Sequence, residues 1–115
     1  MVKEVVGHAK DGQEMIAYTL TNKNGMKAKI MNYGCNLLEL WVPDKNGKLD
    51  DIVLGYEKIE DYFGNAPGFG ACICPVANRI GEAKFTLNGK EYTMDVNDGK
   101  NNLHSGFNPM HKEVW

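Results

Sequence analysis

The chain lacks an excess of positive charge: 13 Lys and Arg stand against 15 Asp and Glu, a net charge of −2. That removes the electrostatic footprint of a nucleic-acid binder or of a protein held on an anionic membrane. It also lacks an N-terminal apolar run suited to a signal peptide and any stretch able to span a bilayer, so the cytoplasm is the expected location. Cysteines are few and odd in number, Cys35, Cys72 and Cys74, which argues for free thiols rather than a disulfide framework. Cys72 and Cys74 would share a face on a strand, but two sulfurs without a second Cys/His cluster make a poor zinc site. No metal is expected, and buried free cysteine is the better reading. Repeats, low-complexity tracts and linkers are missing as well, so the 115 residues are expected to form one domain with a modest core and no second domain.

What the chain does have is turn chemistry. Asn-Gly occurs at Asn24-Gly25, Asn46-Gly47 and Asn88-Gly89, each between segments of apolar or alternating character. Asn-Gly accepts the positive φ angles of a type I′ hairpin turn. The first hairpin pairs residues 14–20 with 26–30, where Met26, Ala28 and Ile30 alternate with Lys27 and Lys29. The second pairs 36–42 with 51–54; Leu38, Leu40 and Val42 are expected on one face, and Pro43 closes the first arm. The third pairs 84–87 with the strand ending at Met94, with Phe85 and Leu87 on one face and Tyr92 and Met94 on one face of the return arm. One short helix is expected near residues 56–62. Asn32-Tyr33-Gly34 is expected to turn the chain into the next strand, with Gly34 supplying unusual backbone angles. Three hairpins in one short chain predict an antiparallel, all-β protein.

The chemistry-bearing residues flank the third hairpin. Val76-Ala77-Asn78-Arg79-Ile80-Gly81 precedes it and Asn101-Asn102-Leu103-His104-Ser105-Gly106 follows it. A hairpin brings its ends together, so Arg79 and His104 are expected at one pocket, where they can hold a polyhydroxylated or anionic ligand and move protons. Taken singly, each has a plainer reading. Arg79 is a surface arginine paired with a carboxylate, His104 is a structural or exposed histidine, and Asn78 caps a turn as readily as it binds a hydroxyl. His8 and His111 have no partner pattern and are read as exposed. Trp41 and Trp115 are read as sheet-face or core packing rather than as sugar platforms.

In order along the chain, the Asn-Arg-Ile run, the Phe-x-Leu-x-Gly-Lys-x-Tyr hairpin, the Asn-x-Leu-His-x-Gly loop and the closing Val114-Trp115 resemble the aldose 1-epimerase (galactose mutarotase) family, over about Gly25 to Trp115. The resemblance implies a large antiparallel β-sandwich, the supersandwich, of which this chain is the incomplete N-terminal part. It implies interconversion of the α and β anomers of aldohexoses such as galactose and glucose, with no metal or organic cofactor. A base takes the proton of the anomeric hydroxyl, an acid protonates the ring oxygen, and the ring opens and recloses. Carried over by position, Arg79 is the arginine that hydrogen-bonds the sugar, and His104 is a catalytic histidine near the ring oxygen that also binds substrate. Asn78 is added as a substrate-binding candidate.

The family's principal acid, a second histidine, and its glutamate base fall beyond residue 115. Among the carboxylates present, Glu82, Asp95 and Asp98, the sequence singles out none. Two departures from the family pattern stand out: Cys74 and Pro75 occupy the places of a Gly-Arg pair, and Ser105 that of a glycine. A truncated sandwich would expose edges and an apolar face, so self-association or association with the missing C-terminal portion is expected. The partners foreseen are an aldohexose and no nucleic acid or membrane. A non-catalytic sugar-binding module and a structural β-domain stand as the alternatives.

Overall fold

The computed structural model describes residues 1–115, apart from the side chain of His111. The reading of His111 as exposed therefore lies outside the described residues; His8 is exposed as expected. The chain divides into two compact units, Met1–Cys72 with Glu113–Trp115, and Ile73–Lys112.

The first unit is one antiparallel sheet of five strands in chain order, β1 (Val2–His8), β2 (Glu14–Thr21), β3 (Lys27–Met31), β4 (Asn36–Pro43) and β5 (Leu49–Asp51). The β2–β3 and β4–β5 hairpins are those the Asn-Gly turns predict, but the turns are of another type. Only Gly25 and Gly47 have positive φ, at 84° and 83°, whereas Asn24 and Asn46 do not. The reason lies two residues earlier in each loop. Asn22 Oδ1 accepts the N–H groups of Asn24 and Met26 at 2.9 and 3.0 Å, and Asp44 Oδ1 those of Asn46 and Lys48 at 2.8 and 2.9 Å. These side chains hold a wider loop that ends on one left-handed glycine. β5 begins at Leu49, two residues earlier than expected, and Ile52 and Leu54 lie beyond it, 62% and 75% exposed.

A β-bulge decides which side of the sheet is the core. Lys29 pairs with Glu39, but the next pair is Ile30 with Leu37, so Leu38 is the extra residue. It turns into a cluster with Met15, Ala17, Met31, Tyr33 and Tyr62, while Leu40, opposite Ala28, lies on the other face. Leu38 and Leu40 therefore do not share a face, because a bulge shifts the two-residue period. Met26, Ala28 and Ile30 are only half-buried. Tyr33 meets Phe63 edge-on at 5.3 Å, and Tyr62 meets Tyr56 at 5.1 Å. The predicted helix is a 3-10 turn over Ile59–Gly64 that brings Tyr62 into this cluster. Gly34, with φ of 63°, makes the corner after Asn32 as expected. Trp41 is half-buried, its Nε1–H donating to Glu39 at 2.7 Å, whereas Trp115 is half exposed, at 51%.

Above the core face, the Lys29 ammonium sits 2.5 Å from Glu4 and 3.7 Å from Glu39. The hydrogen bond to Glu4 first, then the charges of Glu4 and Glu39, raise Lys29 above its ordinary 10.5 against the opposing effect of burial. A lysine raised on folding contributes stability that is whole at neutral pH and is lost as pH rises through the folded value. Lys29→Met is expected to cost about 1 kcal/mol at neutral pH, given the exposure of Glu4. The gap in melting temperature between variant and parent should narrow as pH rises above 10.5, as a pH series of thermal melts would show.

The second unit holds β6 (Arg79–Ile80), β7 (Lys84–Leu87), β8 (Lys90–Thr93) and β9 (Asn102–Leu103). β7 and β8 form the third predicted hairpin, and here the turn is type I′, with φ of 51° at Asn88 and 76° at Gly89. Phe85 stacks on Tyr92 at 5.2 Å, yet all eight strand residues are exposed. β6 pairs antiparallel with β9, across the base of the hairpin.

Candidate functional site

The β6–β9 pair places Arg79 opposite Leu103 and Ile80 opposite Asn102. One step further along the same ladder, Asn78 lies opposite His104, and the two are joined twice. The His104 N–H donates to the Asn78 carbonyl at 3.1 Å, and the Asn78 N–H donates to His104 Nδ1 at 3.0 Å. Arg79 and His104 thus sit on adjacent rungs at one end of a two-stranded ladder. Asn78 acts through its backbone, in the left-handed region with φ of 65°, and its side chain is exposed.

The bond to Nδ1 fixes the histidine chemically. A neutral imidazole has one donor and one acceptor nitrogen. Since Nδ1 accepts from Asn78, the proton resides on Nε2, and His104 presents an N–H donor at the outer end of its ring. The loop is held in an unusual shape, with positive φ at His104 (51°), Ser105 (70°) and Gly106 (99°). Gly106 is required there, because a Cβ would run into the Asp95 side chain. Ser105, standing in place of a glycine, forms a clamp: its Oγ accepts the Val76 N–H at 2.9 Å and donates to the Val76 carbonyl at 3.0 Å. Ser105→Ala keeps the backbone strain and removes both bonds. We expect a loss of about 1 kcal/mol and faster amide exchange at Val76 and His104, measured by hydrogen exchange.

Arg79 donates from Nε to Asp98 Oδ2 at 2.6 Å. The plainer reading, an arginine paired with a carboxylate, is therefore true of Arg79, but only the inner nitrogen is used. The guanidinium has five N–H donors in a planar fork, so the four on the two outer nitrogens remain for a ligand. Asp98 is the partner that sequence reasoning did not single out. Its signal is Asp98-Gly99, a turn dipeptide; the turn pairs Asp98 with Asn101. Asn97 ties the same turn to β9, donating to the Leu103 carbonyl at 2.8 Å and accepting the Leu103 N–H at 2.7 Å. Asn102 is fully buried and donates to the Asp95 carbonyl at 2.9 Å. Of the other carboxylates, Asp95 accepts the Phe107 N–H at 3.0 Å and Glu82 lies 3.9 Å from Lys100. Among the described residues no three His, Cys, Asp or Glu side chains cluster as metal ligands, and no helix is long and apolar enough to cross a membrane.

An arginine fork and an Nε2–H imidazole are both donors of the kind that can meet an oxygen-rich ligand. Residues 17–115 match the family profile described as aldose 1-epimerase. Over all of its length the chain is 36% identical to galactose mutarotase of Mus musculus and 34% identical to aldose 1-epimerase of Escherichia coli (strain K12), covering 34% and 33% of those proteins. Among solved structures, galactose 1-epimerase from Lactobacillus acidophilus NCFM superposes with a TM-score of 0.78 at 25% identity, over 100% of this chain and 33% of that one. The GalM/aldose epimerase homologue from C. elegans gives 0.74 at 37% identity, over 86% and 30%. The chain belongs to the aldose 1-epimerase family. It spans about a third of the length of the curated relatives it matches.

Proposed function

We propose that this chain supplies the arginine–histidine part of an aldose 1-epimerase site, acting on aldohexoses such as galactose and glucose. The observation that carries this reading is the bond from the Asn78 N–H to His104 Nδ1. It leaves His104 with a donor on Nε2, the nitrogen that can reach a sugar ring oxygen and share a proton with it as the ring opens. Arg79, braced by Asp98 through Nε, turns its outer N–H groups to sugar hydroxyls, and the Asn78 side-chain amide adds a donor and an acceptor. On this reading His104 is catalytic and substrate-binding, and Arg79 and Asn78 bind substrate. The apolar face carrying exposed Leu20 and half-buried Ala28 and Leu40 supports a further proposal, that another polypeptide segment or a second copy covers it.

A binding-only module is the second reading. It is favoured by the fact that Asp98, Asp95 and Glu82 each already have a partner, so none of the three stands ready as a base. Polarimetry of freshly dissolved α-D-galactose, beside a binding titration, separates the two. Acceleration of mutarotation that His104→Ala abolishes supports the epimerase reading. Saturable binding at the buffer rate of mutarotation supports the binding module. Binding untouched by both Arg79→Ala and His104→Ala contradicts either one.

A further inference from the structure

The sequence offers Cys72 and Cys74 as the pair sharing a strand face, with all three cysteines as free thiols. The first unit instead brings Cys35 to Cys72. The Leu37 N–H donates to the Gly70 carbonyl at 2.8 Å, and a Cβ on Gly70 would strike the Leu37 backbone, so the two chain segments are in tight contact. Cys35 lies two residues before Leu37, and Cys72 two residues after Gly70. The side chains meet there: Cys35 and Cys72 share a hydrogen bond between their sulfurs, and a disulfide needs its two sulfurs in such direct contact. Both side chains are partly exposed, so an oxidant can reach them.

We propose that Cys35 and Cys72 form a dithiol site that an oxidant of the disulfide class, such as oxidised glutathione, converts to an intrachain disulfide. The Cys35 thiol is pushed up by burial and by the adjoining sulfur of Cys72, with which it shares a hydrogen bond. Cys35 is therefore the poorer first nucleophile, and Cys72 attacks. The Cys72 thiolate displaces one glutathione thiolate and forms a mixed disulfide. The Cys35 sulfur, on losing its proton, then displaces the second. Two thiols lose two protons and two electrons, and one oxidised glutathione becomes two reduced ones. The product pins the loop ending at Cys72 to the corner between β3 and β4.

The test is oxidation of the purified chain with oxidised glutathione, followed by intact mass and tryptic mapping. Trypsin leaves Cys72 and Cys74 on one peptide, residues 59–79, so Cys74→Ser is mapped alongside. The expected product has lost two hydrogens and joins the peptide of Cys35 to that of Cys72, equally in Cys74→Ser. Cys35→Ser and Cys72→Ser should not form this link, and oxidation should raise the melting temperature of the parent by roughly 5 °C or more. A link through Cys74, a disulfide-joined dimer as main product, or three free thiols in the folded chain under conditions that oxidise the urea-unfolded chain would overturn the proposal.

Discussion

Replacing His104 by alanine is expected to lower catalysed mutarotation of galactose by roughly a hundredfold or more, in any form of the protein that accelerates it. Loss of one positioned acid–base group or one donor to a developing charge has effects of about that size. The loss should fall on the catalytic rate, because the Nε2–H matters most when the ring oxygen gains charge. Arg79→Ala should act differently. It removes charge-assisted hydrogen bonds to hydroxyls that are present before and during ring opening, so it should weaken sugar affinity by roughly thirtyfold, or about 2 kcal/mol. Arg79→Lys should recover little of this, since an ammonium can neither hold Asp98 through an inner nitrogen nor offer a planar fork outward. Initial rates by polarimetry over a range of galactose concentrations separate the two effects. Equal losses from both variants in rate and affinity would mean that the loop had collapsed.

The largest effect on stability is expected at Gly70. It sits at a φ of 61°, and an added Cβ would meet the carbonyl of Leu37, a backbone atom that cannot swing aside. Left-handed strain and overpacking add, and the bond from Leu37 to the Gly70 carbonyl is lost. Gly70→Ala should cost about 3 kcal/mol or more, lowering the melting temperature by on the order of 10 °C. Gly25→Ala is the control. Its φ of 84° carries the same kind of strain, but nothing lies near the added carbon, so about 1 kcal/mol is expected. Thermal melts of the two variants give the comparison, and equal shifts would contradict a steric origin.

Much of the fold was legible because hairpins are local. Asn-Gly dipeptides between alternating segments fixed where the β2–β3, β4–β5 and β7–β8 turns fall. They did not give the turn type, which Asn22 and Asp44 set from two residues upstream. The burial of Leu38 was not legible, since a bulge leaves no mark in the alternation and reverses its meaning for every residue beyond it. β1 escaped because Val2, Glu4, Val5 and Val6 show no two-residue period. At the site, the neighbourhood of Arg79 and His104 followed from topology alone. The tautomer of His104 and the brace from Asp98 did not, because both depend on the left-handed backbone at Asn78 and on a turn whose residues are read as loop.

The most direct test is a nitrogen-15 NMR spectrum of the histidine rings of this chain, recorded with and without D-galactose. The expected result is His104 with its proton on Nε2, and a saturable shift of that nitrogen together with the Arg79 guanidinium and the Asn78 amide as sugar is added. A proton on Nδ1, or galactose shifts that leave all three residues untouched, would contradict the assignment of this ladder end as the sugar-holding site.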